Sequence, residues 1–182
     1  MCALEDAGFT LKDNLAWLRT RAPHRAQRLS VVYEKRNDII SANTWDGWRI
    51  GNLRPTFEPI LWFCKPYKIG TTIADNVLKY GVGGYNESAY QKYVQTPDNV
   101  IESGMAKNEG GLHPTQKPLH LMQALIELTT QEQHVVLDPF AGSGTTLVAA
   151  KMTDRHYIGF EAIEEYVDIC KKRLNEVSNL IY

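Results

Sequence analysis

The sequence has 182 residues, 43% of them hydrophobic and 23% charged, with a formal net charge of −1; that is enough chain for one domain with its own core, and an ordinary globular composition. No apolar run approaches the roughly 18 residues of a membrane span, and the opening MCALEDAGF has neither the basic flank nor the apolar centre of an export signal. Cys2, Cys64 and Cys170 lie far apart with no C-x-x-C pair, and the histidines form no H-E-x-x-H, so no metal is expected and the cysteines read as reduced thiols of a cytoplasmic protein.

In chain order, CALEDA (2–7) reads as the end of a helix closed by Gly8. So short a helix, with no N-cap, is marginal in water, and the expectation is that it belongs to a longer one. FTLKDNLAWLR alternates as a strand from Phe9 to Leu18, and LSVVY (29–33) is a candidate short strand within a basic, proline-containing stretch. After the turn TWDGWRIGNLRP comes a second apolar strand, FEPILWFCK (57–65), whose Pro59 predicts an irregular or edge beginning. Residues 66–112 are rich in Gly, Tyr, Asn and Lys (KYGVGGYNESAYQKY) without clear periodicity, and read as an inserted, partly irregular lobe.

The last third is the most regular. Pro118 suits a first helical position, and LHLMQALIELT places Leu119, Met122, Leu125 and Ile126 on one face. HVVLD (134–138) is a strand, GTTLVAAKM a helix and HYIGFE (156–161) a strand. AIEEYVDICKKRLNEV closes as a helix with Ile163, Tyr166, Val167, Cys170, Leu174 and Val177 at helical spacing. Alternating strands and helices predict an α/β fold with a mostly parallel sheet and helix-covered faces.

Charge is unevenly spread. Arg19, Arg21, Arg25, Arg28, Lys35, Arg36, Arg49 and Arg54 stand against Glu34, Asp38 and Asp46, eight basic to three acidic. Such a run is either a solvated face or a segment that contacts phosphates.

HVVLDPFAGSGTTLVAA raises the question of what its glycine turn holds. A phosphate-binding P-loop needs G-x-x-x-x-G-K-[ST], whereas here Gly142 and Gly144 are two apart and the next lysine, Lys151, comes too late. A dinucleotide loop needs a third glycine where Leu147 stands. The loop of an S-adenosylmethionine site needs a strand ending in an acid, a Gly-x-Gly turn and a carboxylate after the next strand. Asp138, Gly142-Ser143-Gly144 and Glu161 supply them. A carboxylate there can accept both ribose hydroxyls, as an acid does in dinucleotide folds.

HPTQKP (113–118), a helix, LDPFAGSGTT (137–146) and GFE (159–161), in that order, resemble the DNA amino-methyltransferases, specifically the beta class, in which the cofactor loop lies near the C-terminus. The resemblance implies a Rossmann-like S-adenosylmethionine methyltransferase fold of the restriction–modification kind, acting on duplex DNA. It places Asp138 and the backbone of Phe140, Ala141, Gly142, Ser143 and Gly144, with Thr145 following, around the methionine part of the cofactor. Glu161 takes the ribose. Thr115, Gln116, Lys117 and Pro118 help close the pocket, while His113, standing before a proline, reads as a capping or packing residue. The basic residues of 19–54, with the 66–112 lobe as target-recognition element, face DNA. The chain then divides into 1–65, 66–112 and a cofactor-binding 113–182.

Members of this class flip the target base out of the duplex into a pocket marked by [DNS]-P-P-[YFW], whose polar groups accept the amino hydrogens. No two of the eight prolines are adjacent here, and Asp138-Pro139-Phe140 belongs to the cofactor loop. The expectation is therefore a C-terminal portion, inactive alone, with an incomplete sheet whose free edge favours a separately encoded N-terminal half or a second copy. Adenine is favoured over cytosine on family frequency alone. A cofactor- or DNA-binding remnant without chemistry, or a methyltransferase acting on RNA or small molecules, are the competing readings.

Overall fold

In a computed structural model of the chain, residues 2–20, 26–66 and 68–178 are described. The first sheet is built on β1 (Thr10–Arg19), which follows a short helix α1 (Cys2–Asp6). β1 pairs antiparallel with β4 (Phe57–Cys64) and parallel with β5 (Val100–Ser103), in the order β4-β1-β5. Pro59 lies opposite Ala16 in β4, an edge strand, where a missing donor is tolerated.

Between β1 and β4 the chain makes an arm. β2 (Gln27–Arg28) and β3 (Arg49–Ile50) pair antiparallel at its base. They enclose α2 (Leu29–Glu34) and α3 (Ile39–Thr44), which pack on each other. LSVVY, expected as a strand, is therefore helical. Its β-branched residues have only a weak preference, and packing against α3 outweighs it. Asp38 caps α3 by accepting from the Ser41 amide at 3.0 Å, and the Ser41 hydroxyl foremost, joined by that amide, holds its carboxyl below the usual range.

The 66–112 segment is more ordered than its composition suggests. Thr72 and Asp75 form a reciprocal capping box that starts α4 (Ile73–Tyr80), and Gly81, in the left-handed region, ends it. Asn86 caps α5 (Glu87–Tyr90), and β5 follows. Both feed the main core: Tyr90 and Ile101 are buried there with Leu15 and Trp17 of β1. Leu121, Ala124 and Leu128 of α6 (Leu119–Thr129) complete it. The Lys12 ammonium ties the segment down further, donating to the Gly83 carbonyl and lying 4.3 Å from the Trp62 ring centre.

A second unit holds β6 (Val135–Asp138), α7 (Thr145–Met152), β7 (His156–Gly159) and α8 (Glu164–Ser178). β6 and β7 pair in parallel and share no hydrogen-bonded strand with β4-β1-β5. α6 joins the two units. One side of it lies in the first core, while Ile126 packs against the fully buried Ala149 and Ala150 of α7, with Val136 and Tyr157 of the strands beneath. Arg155 pins the end of α6, donating to the Thr130 carbonyl at 2.8 Å and hydroxyl at 3.1 Å. Val135, Leu137 and Ile158, by contrast, are exposed, so helices cover one face of this sheet. Among the described residues, two of the four strand pairings are parallel and two antiparallel. Among the described residues no helix is long and apolar enough to cross a membrane.

Because β5 completes the first sheet, Ile101→Ala is expected to lower stability by about 2–5 kcal/mol, read as a reduced urea midpoint. A change within about 0.5 kcal/mol, the usual effect of a surface substitution, would place β5 outside the core.

Candidate functional site

β6 ends at Asp138, whose Oδ1 accepts from the Phe140 amide at 3.0 Å and turns the chain at once. Gly142 (φ +53) and Gly144 (φ +79) carry the turn, and Gly144 is the N-cap of α7. Both occupy the left-handed region that glycine enters at least cost. Space excludes a side chain at Gly144 and crowds one at Gly142. A β-carbon on Gly144 would lie 2.3 Å from the Cys170 sulfur, and one on Gly142 would meet the His113 ring at 3.3 Å.

Glu161 follows β7 and grips this turn. Its Oε2 accepts from the Gly142 amide at 2.8 Å and its Oε1 from the Ile163 amide at 2.9 Å. The Ile163 amide foremost, opposed by partial burial and joined by the Gly142 and Ala162 amides and the His113 ring, holds the carboxyl below its usual range. A carboxylate has about four acceptor sites, so Glu161 keeps acceptor capacity beyond these amides.

The HPTQKP segment meets the turn through His113. The His113 Nδ1 receives the Thr115 amide at 3.2 Å and lies 3.1 Å from its hydroxyl, while the ring packs edge-on against Tyr166, centres 4.4 Å apart. Thr115 and Gln116 are engaged within their own loop, Gln116 with Leu112 and the Glu109 carbonyl. Pro118 is fully buried as the N-cap of α6 rather than its first residue. Lys117 reaches away from the turn, to Glu58 Oε2 at 2.8 Å. The same carboxylate holds Arg19 at 2.9 Å, and both cations lie over the Trp17 ring.

Within the glycine turn, side chains divide sharply. Phe140 is 87% exposed, whereas Ser143 and Thr145 are 2% and 6% exposed and bond inward to Arg173. Asp138, the turn, Glu161 and His113 thus form one site, with Thr115 adjoining through His113. Of the basic residues, Arg28, Lys35, Arg36 and Arg49 gather on the arm and Arg54 lies exposed beyond it. Arg21 and Arg25 lie outside the described residues. Arg49 also donates to the Ala26 carbonyl at 2.9 Å, bracing the arm's base.

Three residues with structural roles here carry no motif signal. Glu109 receives the Leu119 and Ala106 amides and so caps α6 from a distance; a lone Glu in a Gly-rich loop gives no hint of that. Glu58 links β4 to Lys117 and Arg19, and Arg173 reaches the turn from α8. The Lys-Lys-Arg run around Arg173 looks like a solvated face, and only its position one turn after Cys170 hints otherwise.

Among solved structures, the fold is similar to the M1.HpyAVI–SAM complex, with a TM-score of 0.59 and 28% identity over 94% of this chain and 66% of that one. The architecture is therefore that of the DNA methyltransferases. The N6_N4_Mtase family model, described as DNA methylase, matches residues 1–172, and the chain belongs to that family. It is 50% identical over 186 residues to the type II methyltransferase M.HindIII of Haemophilus influenzae, covering 99% of this chain and 60% of that protein. It is 45% identical over 181 residues to the type II methyltransferase M2.MboI of Moraxella bovis, covering 94% and 63% respectively. The chain thus spans less than two thirds of the length of these relatives.

The lowered Glu161 pKa fixes the sign of a pH effect. A carboxylate held below its ordinary value stabilises the turn above that value and lets go as pH falls through the lowered one. The Gly142 amide resonance, followed by NMR, is expected to titrate with a midpoint below the ordinary glutamate value of about 4.3. A midpoint at or above it would mean that the grip on the turn adds nothing.

Proposed function

We propose that the chain carries the cofactor site and a DNA-facing arm of a type II DNA amino-methyltransferase. Such an enzyme moves a methyl group from S-adenosylmethionine to an exocyclic amino group of duplex DNA, with adenine favoured over cytosine by resemblance. The observation that carries the reading is the Glu161 grip on the Gly142 amide, 2.8 Å long. It sets a part-exposed carboxylate beside a turn stripped of side chains.

The residues fit that cofactor. Glu161 would hold the ribose through its remaining acceptor capacity, and the backbone from Phe140 to Gly144 would line the methionine part with Asp138. The cation bonded to the turn, Arg173, lies on its buried side, engaged by Ser143 and Thr145, which suits a ligand without phosphate on the exposed side. When bound, the cofactor supplies an activated methyl group. The chain's own residues bind and orient it. Ser143 and Thr145 take part by backbone, since their hydroxyls face inward, and Lys117 serves the pocket wall by fixing α6 to β4 through Glu58.

No Pro-Pro pair occurs in these 182 residues, so the groups that would accept the amino hydrogens of a flipped base are expected from other polypeptide. The relatives' greater length leaves room for it. We place that polypeptide, whether continuous with this chain or separately encoded, against the bare Val135, Leu137 and Ile158 face of β6 and β7. The 66–112 segment, which bridges α6 and the first sheet, is read as the target-recognition element. The setting proposed is the cytoplasm.

Glu161→Gln keeps the shape and removes the charge. It is expected to weaken S-adenosylhomocysteine binding by roughly 10- to 100-fold, the worth of a hydrogen bond to a charged group, measured by calorimetry on the full chain. Unchanged affinity would remove Glu161 from the site.

Neutralising Arg28, Lys35, Arg36 and Arg49 together is expected to weaken duplex binding uniformly across sequences. The slope of log K against log salt should flatten by roughly 3 to 4, about 0.9 for each phosphate that the arm no longer neutralises. A slope unaltered by the four changes would mark the arm as merely solvated.

A further inference from the structure

The glycine turn is held from its buried side by α8. Arg173 Nη1 donates to the Ser143 carbonyl at 2.7 Å, with the Thr145 hydroxyl at 3.0 Å and the Ser143 hydroxyl at 3.3 Å. One helical turn earlier, Cys170 packs where a Gly144 side chain would otherwise be. Burial works against the guanidinium charge and lowers its pKa, while Glu109, the α6 cap, foremost, with Cys170 and Glu176, pushes it back up. Arg173 is thus a desolvated cation whose hydrogen bonds go to the turn and to the first residue of α7.

We propose that Arg173 is a positioning residue for the cofactor: it acts through Ser143 and Thr145 and touches no ligand itself. A turn with two glycines in the left-handed region has more conformations open to it than any other kind. Glu161 fixes the Gly142 amide from the outer side, and Arg173 fixes the next carbonyl from the inner side. With both in place the peptide between Gly142 and Gly144 has one orientation, so the turn meets its ligand already ordered. Without Arg173 that ordering must be met at binding, and affinity falls. All three bonds leave Nη1, which lies one bond farther from the backbone than a lysine ammonium, so lysine keeps the charge but reaches Ser143 and Thr145 less well.

This inference rests on the turn being the cofactor site. The test is S-adenosylhomocysteine binding by calorimetry on the full chain and its Arg173→Lys, Arg173→Met and Arg173→Gly forms, each first shown to be folded by its thermal transition. Arg173→Met is expected to bind about 10-fold or more weakly, Arg173→Lys to fall between it and the parent, and millimolar guanidinium to restore affinity in Arg173→Gly. A purely architectural arginine would lower the melting temperature while folded protein bound normally. Parent-like affinity in folded Arg173→Met and Arg173→Lys therefore overturns the proposal. Should Arg173→Met not fold, Arg173→Lys with undiminished affinity does the same. Absence of binding by the parent chain sinks the cofactor reading, and this inference with it; binding by the parent alongside undiminished variants sinks this inference alone.

Discussion

Gly142 and Gly144 have no side chains with which to hold their turn, and that constraint organises the C-terminal half of this protein. Both glycines are needed because their φ angles are positive, and Cys170 fills the space of a Gly144 side chain while His113 crowds that of Gly142. Freedom of that kind favours disorder, so the order has to be imported. Glu161 supplies it from the end of β7, His113 from the segment before α6, and Cys170 and Arg173 from α8. Elements widely separated in sequence converge on a few peptide units, which is why the strands, α7 and α8 must all be in register before the turn has a shape.

The same logic explains the alanines of α7. Ala149 and Ala150 have no exposure and let α6 approach closely, and α6 is the element common to both cores. Its start is set by Glu109 and Pro118, beside the turn, and its end by Arg155. A shift of α6 would move His113 against Gly142 and Leu121 within the first core together. The site is therefore coupled mechanically to a sheet that contributes no residue to it. The uncovered face of β6 and β7 lies on the other side, away from this linkage, where added polypeptide would leave the grip on the turn intact.

What could be read from the sequence followed from how local each cause was. The strand, turn and helix of 134–152 rest on a short apolar run, a Gly-x-Gly and an Ala-rich stretch, all close neighbours, and they stand in the structure where expected. The acid after β7 was legible because its distance from the turn is set by one helix and one strand. LSVVY misled because its residue preferences are weak and its partner, α3, is what decides. The 66–112 segment looked irregular because its order comes from caps and from one short strand paired with β1, eighty-odd positions away. The Thr72 and Asp75 box was nonetheless a readable start signal. Arg173, Glu109 and Glu58 act across the fold, and no spacing rule reports such contacts.

Charge shows the same distinction between composition and placement. The eight-to-three excess in 19–54 read as either a solvated face or a segment that contacts phosphates. Arg19 is instead drawn to Glu58, which it shares with Lys117 over the Trp17 ring, so a residue assigned to DNA and one assigned to the cofactor pocket neutralise a common carboxylate. At 2.8 and 2.9 Å these part-exposed pairs contribute modest stability each, yet together they fix where β4 meets the start of α6. The cations that remain outward, Arg28, Lys35 and Arg36, sit on an arm whose helices pack mainly on each other. The arm is thus the part of the molecule least tied to the cores, while Arg19 and Lys117 are turned to holding β4 and the start of α6 in place.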